Sequence, residues 1–155
     1  MEVTGLPLHP LIVHAVVVLG PIAALVGLAY AFVPRWRWLL RWPLVALSVA
    51  VAVAALLAVS AGESLLDSRP ELEPLVEDHE EWGELLRTVS LAFVAVSALA
   101  AWALGGPSAL ASGRGARDSR DALGWVAVAL LAAGSLALLV LVVLTGDSGS
   151  RAVWG

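Results

Sequence analysis

Three histidines carry the main chemistry that this sequence offers: His9, His14 and His79. His9 and His14 open a long apolar segment, whereas His79 lies in the acidic run Glu77–Glu81. His14 is the leading candidate because a titratable side chain within an apolar segment is costly to keep in a bilayer. Imidazoles ligate haem iron axially, or bind zinc, copper or iron together with carboxylates. Gly83, four residues after His79 and on the same helical face, would leave space for a flat macrocycle. The sequence therefore predicts haem b or a transition metal as the cofactor.

Two carboxylates and one arginine extend this candidate site. Glu63 and Asp147 follow apolar segments, where each could ligate a metal or orient a ligand histidine. Arg87 could reach outward to water, pair with Glu84 or Glu63, or clamp an anionic group such as a haem propionate. The predicted cofactor contacts are therefore His14, His79, His9 and Arg87, and the predicted metal ligands are the three histidines with Glu63 and Asp147.

Each of these residues also has an ordinary structural interpretation. His14 could form a hydrogen bond to a neighbouring helix, because buried polar groups in membranes find partners. His9 precedes a proline and could cap a helix, while His79 could lie on a solvated acidic face. Glu63 could be exposed where a helix frays, and Asp147 could be a turn residue after a helix. The functional interpretation depends on these side chains meeting in one place.

The composition is that of an integral membrane protein. Hydrophobic residues make up 60% of the 155 residues and charged residues 14%, against about 25% charged residues in soluble domains. The mean hydropathy is +0.90. The absence of cysteine excludes disulfides, thiolate metal sites and covalent c-type haem attachment. The absence of lysine excludes cofactors held as Schiff bases.

Four apolar segments are long enough to cross about 30 Å of hydrocarbon at about 1.5 Å per residue. Short links between them predict an all-α four-helix bundle with up-down-up-down topology. We expect a single transmembrane domain over residues 1–155, in which Pro34 ends the first helix and Gly146 ends the fourth. The predicted spans are residues 11–33, 39–61, 85–104 and 123–145.

The charges are distributed unequally between the two ends of the predicted bundle. Residues 34–43 carry three arginines and no acid, and residues 105–121 carry three arginines and two aspartates. The positive-inside rule then places both links in the cytoplasm of a bacterial cell and both termini outside its cytoplasmic membrane. Helices one and three would begin, and helices two and four would end, at the outer face. The three histidines, Glu63 and Asp147 are therefore predicted to converge in one layer there.

Four segments of the sequence form recognisable motifs: Gly5–Leu19, Ala61–Glu63, His79–Glu84 and Gly146–Gly155. They resemble motifs of a bacterial membrane family catalogued as domain-of-unknown-function family 2231. The resemblance covers essentially the whole chain and implies four transmembrane helices with no assigned function. Some relatives are fused to redox modules, which suggests haem or electron transfer. Many relatives have histidine where this chain has Asp147, so the resemblance favours a mixed imidazole–carboxylate metal site over a bis-histidine haem.

We therefore expect a small membrane protein with a haem or metal site at its extracytoplasmic end, acting in electron transfer or metal handling. Its partners would be the lipid bilayer and a redox partner or larger membrane complex, and not nucleic acid. The main alternative is a non-catalytic accessory subunit in which the histidines are structural. A transporter has little support, since we expect no charged or polar residue deep in the second and fourth spans. An enzyme using His14 as a general base is also disfavoured, because the sequence contains no identifiable nucleophile–base pair.

Overall fold

The protein folds as four long α-helices, seen in a computed structural model. The structure describes residues 2–3, 6–105 and 122–154, with side chains for residues 12–105, 122–152 and 154. All four helices are long and apolar enough to cross a membrane, which confirms the predicted four-helix fold. Which end faces the cytoplasm stays a prediction. The helices are α1 (Leu8–Phe32), α2 (Arg37–Ser68), α3 (Glu73–Ala103) and α4 (Ala122–Trp154).

Short elements flank and join these helices. Strands β1 (Glu2–Val3) and β2 (Leu6–Pro7) form a two-stranded antiparallel pair before α1. A 3-10 turn at Pro34–Trp36 joins α1 to α2, and a second at Pro70–Leu72 joins α2 to α3. Each turn begins with proline, which cannot supply the backbone N–H that a continuing helix needs. The link between α3 and α4, with its predicted arginine-rich charge, lies largely outside the described residues.

The helices extend further than the apolar segments from which they were predicted. The prediction that Gly146 ends the fourth helix is wrong, because α4 continues to Trp154. Likewise α2 continues past Glu63 to Ser68, and α3 already begins at Glu73. Hydropathy marks where the hydrocarbon ends, whereas a helix continues as long as its backbone hydrogen bonds remain favourable. Glu63, His79 and Asp147 therefore lie within regular helix.

Each helix packs against two neighbours in a ring. The chief contacts are α1 with α2 and α4, and α3 with α2 and α4, so that α1 and α3 are diagonal. Glycines allow the closest approach of α1 to α4. A Cβ on Gly20 would lie 2.7 Å from Val142 Cγ2, and one on Gly27 would overlap the Ser135 hydroxyl. The two helices therefore meet at these small residues.

The bundle core contains polar side chains as well as apolar ones. Ser48 of α2 and Ser135 of α4 are fully buried, as are Ser90 and Ser97 of α3. The expectation that the second and fourth spans carry no polar residue at depth is therefore wrong. Serine was overlooked because its small side chain barely changes the hydropathy of an apolar segment. The second and fourth helices therefore carry the buried polar groups whose expected absence disfavoured a transporter.

A buried arginine connects α1 and α2 at the end of the bundle where these helices meet. Arg37 is only 2% exposed. Its Nε donates to the carbonyl oxygen of Tyr30 and its Nη2 to that of Ala31, each at 2.9 Å. Carbonyls in the last turn of a helix have no partner within the helix, so Arg37 satisfies two of them. We call this end of the bundle the arginine end.

Candidate functional site

The opposite end, which we call the histidine end, holds the starts of α1 and α3 and the ends of α2 and α4. His79 lies there on α3, half-buried against α4. Its Nδ1 is 3.0 Å from the carbonyl oxygen of Thr145 and 3.4 Å from Ser148 Oγ. A carbonyl oxygen only accepts, so Nδ1 carries the proton in this bond and Nε2 is the basic nitrogen of the neutral ring. The contact thus selects one tautomer of His79.

A glycine on α4 makes room for this imidazole. A Cβ added to Gly149 would lie 2.9 Å from His79 Cε1 and 3.0 Å from Nδ1. These distances are shorter than a methyl group can normally approach a ring. Gly149 and the Thr145 carbonyl lie one helical turn apart, so α4 provides both the space and the hydrogen-bond acceptor for His79.

His79 forms part of the wall of a cavity of about 130 Å³. All four helices contribute to this wall, and most of the contributing residues are aliphatic. Gly62, Gly83 and Gly146 line it as well. A Cβ on Gly83 or Gly146 would meet nothing within 4 Å. The predicted open space beside His79 at Gly83 is therefore present in the structure.

Among the side chains that the structure describes, few polar groups reach this cavity. Besides His79, they are the carboxylates Glu63 and Glu80 and the hydroxyl of Thr145. Both glutamates are exposed, so they lie at the mouth rather than the floor. Thr145 Oγ1 is buried and has no hydrogen-bond partner. The cavity is thus apolar inside and acidic at its mouth.

His14 is not part of this cavity. It is exposed and shares an outward stripe of α1 with the exposed side chains of Val18, Ile22 and Leu25. The side of α1 that faces the cavity carries other residues, among them Val13. His14 and His79 belong to diagonal helices, and the structure does not bring them to one wall.

The remaining predicted residues have different surroundings. The side chain of His9 lies outside the described residues. Asp147 is exposed and forms an ion pair with Arg151, in which Nη2 and Oδ2 are 2.7 Å apart. Arg87 donates to Glu84 Oε2 at 2.8 Å, which is the pairing that the sequence suggested as an alternative to a propionate clamp. Of the predicted carboxylates, only Glu63 lies at the cavity.

The part of the chain that the structure describes contains no group of three or more histidine, aspartate or glutamate side chains placed to hold a metal ion. Sequence reasoning also missed Thr145 and Gly149 as the partners of His79. A sequence signal for them exists, since both lie on one face of α4 in a short run of small residues. That signal alone does not reveal which helix they meet.

Comparison with known proteins identifies the family but assigns no activity. Neither a curated protein nor a solved structure matches the chain. One family does match, described as a predicted membrane protein, and the match covers residues 5–155. Its description agrees with the four apolar helices of the structure. The chain therefore belongs to the predicted membrane protein family DUF2231.

Proposed function

We propose that this protein binds haem b at its histidine end, with His79 as the iron ligand, and takes part in electron transfer at the membrane surface. The observation that carries the proposal is the bond between His79 Nδ1 and the Thr145 carbonyl at the wall of an apolar cavity. Histidines that ligate metals almost always donate their other ring N–H to a carbonyl or carboxylate. The bond makes Nε2 the nitrogen that can coordinate iron.

The chemistry of the cavity walls supports this choice. Cofactor sites are mostly apolar, with a few fixed polar groups that orient the ligand. Here the walls are aliphatic, and Gly83 and Gly146 leave open space near the ring of His79. A haem held there by His79 would supply one-electron redox chemistry. His14, the first choice from the sequence, is exposed on the outward stripe of α1 and is not among the residues that line this cavity.

The acidic mouth of the cavity provides a way to distinguish the binding of haem from the binding of a bare metal ion. Glu63 and Glu80 would repel the propionates of a haem and attract a cation. Replacing Glu80 with glutamine should therefore strengthen haem binding but weaken the binding of zinc, copper or iron ions. Because both carboxylates are exposed, we expect the change to be about two- to fivefold.

The decisive experiment is a visible absorption spectrum of the detergent-purified protein, followed by hemin titration and elemental analysis of the same sample. Wild type should show a Soret band that saturates at one hemin per chain. His79→Ala should lose the band, while the matched control His14→Ala should retain it. A Soret band that survives in His79→Ala, or that disappears only in His14→Ala, would contradict the proposal.

One observation favours a second function, that of an accessory subunit in a larger membrane complex. The same contacts that orient His79 also tie α3 to α4, so the imidazole could serve packing alone. In that case the protein would bind neither hemin nor a stoichiometric metal, and His79→Ala would lower its melting temperature. Retention of the melting temperature together with loss of the Soret band would support the cofactor site instead.

A further inference from the structure

Buried polar atoms without partners extend through the bundle. Among the described side chains, hydroxyls and one guanidinium nitrogen are enclosed and form no hydrogen bond. The three serines and the tyrosine among them are fully buried at 0% exposure. In a bilayer there is no outside water to satisfy such groups, and each one destabilises the folded bundle unless something pairs with it. The atoms are Tyr30 Oη, Arg41 Nε, Ser90 Oγ, Ser97 Oγ, Ser135 Oγ and Thr145 Oγ1.

The contacts of two glycines define one layer that contains Ser135, and helical spacing places the other atoms at levels on either side of it. Gly27 faces both Ser135 Oγ and Phe93 Cζ, and Gly134 faces Phe93 Cδ2. Gly27, Phe93 and Ser135 therefore form one layer near the middle of the bundle. Ser90 lies about one turn from this layer toward the histidine end, because α3 begins there. In this layer α3 contributes the aromatic ring of Phe93, and α4 contributes the unpartnered hydroxyl of Ser135.

The row continues to both ends of the bundle. On α3, Ser97 lies one turn beyond Phe93 toward the arginine end, and Tyr30 lies three residues beyond Gly27 in the same direction. Arg41 closes the row at that end, where a Cβ on Gly105 would lie 2.6 Å from its guanidinium. At the other end, Leu86 lines the cavity. Ser90 follows it by four residues, or about 6 Å at about 1.5 Å per residue.

We propose that this row, completed by internal water molecules, is a proton pathway between the cavity at the histidine end and the arginine end. Hydroxyl groups and water each accept one proton and donate another, so a proton can enter at one end while another leaves at the opposite end with no net chemical change. Successive levels lie further apart than one hydrogen bond, so water must bridge them. The inference does not depend on a bound cofactor.

Arg41 gives the pathway a barrier at one end. Arginine remains charged under all ordinary conditions, and a fixed positive charge at a narrow point repels protons and other cations. No ion pair of Arg41 with another described residue is seen. We therefore expect slow proton movement that increases when this charge is removed, which distinguishes a guarded pathway from a leak through damaged lipid.

Proton flux into liposomes tests the proposal. The purified protein is reconstituted with a pH-sensitive dye inside, and a potassium gradient with valinomycin supplies the driving force. Wild type should acidify the interior faster than protein-free liposomes. The triple variant S90A/S97A/S135A should fall to the protein-free rate, and Arg41→Gln should exceed wild type. The control is Ser48→Ala, since Ser48 is also fully buried but already donates to the Val45 carbonyl at 2.8 Å; it should match wild type.

Two results would overturn the pathway. One is wild-type flux equal to that of protein-free liposomes. The other is a triple serine variant that conducts as fast as wild type. Folding of the triple variant is checked by its melting temperature, which should not fall, because removing unpartnered hydroxyls removes a desolvation cost. A triple variant that melts like wild type and no longer conducts supports the proposal.

Discussion

The orientation of one imidazole depends on two neighbouring features of α4, the Thr145 carbonyl and the missing side chain of Gly149. Gly149→Ala should push the His79 ring away, because the new methyl carbon would lie 2.9 Å from Cε1. We expect a net loss of roughly 1 kcal/mol, since overpacking of about 1–3 kcal/mol exceeds the gain in helix propensity of about 0.5–1 kcal/mol. Thermal unfolding in detergent measures the loss, and hemin titration should show weaker binding.

Gly146→Ala is the matched control on the same helix. A Cβ at Gly146 meets nothing within 4 Å, so without hemin the variant should gain only helix propensity, up to about 1 kcal/mol. If Gly149→Ala were as stable as Gly146→Ala and bound hemin as tightly as wild type, the position of His79 would not depend on Gly149.

Single residues also show where sequence reasoning reached its limit. The sequence correctly indicated open space beside His79 at Gly83, because helical spacing alone relates those two positions. It ranked His14 first from its depth in the apolar segment, but depth does not determine which side of a helix faces the bundle. His14 lies on the same exposed stripe as Val18, Ile22 and Leu25. The sequence of α1 alone does not indicate whether this stripe faces the bundle or the lipid, because apolar residues occur on all sides of the helix. Whether His14 has a role stays a prediction to be tested with His79.

Small residues allow two helices to pack closely, and the contact between α1 and α4 is the clearest example. Gly27→Ala should destabilise the bundle by about 1–3 kcal/mol, because its methyl group would overlap the Ser135 hydroxyl and approach Phe93 Cζ to 3.2 Å. Adding Ser135→Gly should restore much of the stability by removing the obstructing atom. Equilibrium unfolding of the single and double variants measures both effects. Purely additive losses would show that the two residues do not share this contact.

The joint between α1 and α2 depends on Arg37. Arg37→Met should cost at least about 2 kcal/mol, because hydrogen bonds from a charged donor contribute about 1.5–3 kcal/mol and two carbonyls of α1 would lose theirs. The control is Arg35→Ala, two residues earlier. Arg35 is exposed and lies over the Trp36 ring at 5.6 Å, so its loss should stay below about 1 kcal/mol. Similar losses for both variants, measured by thermal unfolding, would contradict this role.

At the level of whole helices, apolar length and proline position predicted the number of helices and the end of α1. They did not predict how far α2, α3 and α4 extend beyond the apolar segments. Those extensions carry Glu63, His79 and Asp147, and helical rotation then separates them. Glu63 and His79 line the cavity, while Asp147 pairs with Arg151. The backbone positions of these three residues therefore lie at one end of the bundle, as the sequence predicted. Their side chains nevertheless do not form one cluster.

For the whole molecule, charge and function are linked through the orientation in the membrane. Residues 62–84 carry nine acids and a single arginine, whereas residues 34–43 carry three arginines and no acid. An acidic mouth outside the cell would concentrate protons and cations near the cavity, and screening should weaken this effect at high salt. The orientation of the protein therefore determines on which side of the membrane the proposed cofactor site lies. It also determines the direction in which the proposed pathway would carry protons.

We predict that both termini lie outside the cytoplasm. By the positive-inside rule, the arginine-bearing links at residues 34–43 and 105–121 remain in the cytoplasm. Alkaline phosphatase fused after Trp154 should be active, while green fluorescent protein at the same point should not fluoresce. The two reporters should show the reverse pattern when fused within residues 105–121. Replacing Arg35 and Arg41 with glutamine should produce a mixed population, since two of three arginines in one link are lost while the structural Arg37 remains. A fluorescent C-terminal fusion with inactive phosphatase would reverse the orientation and place the cavity, with His79, in the cytoplasm.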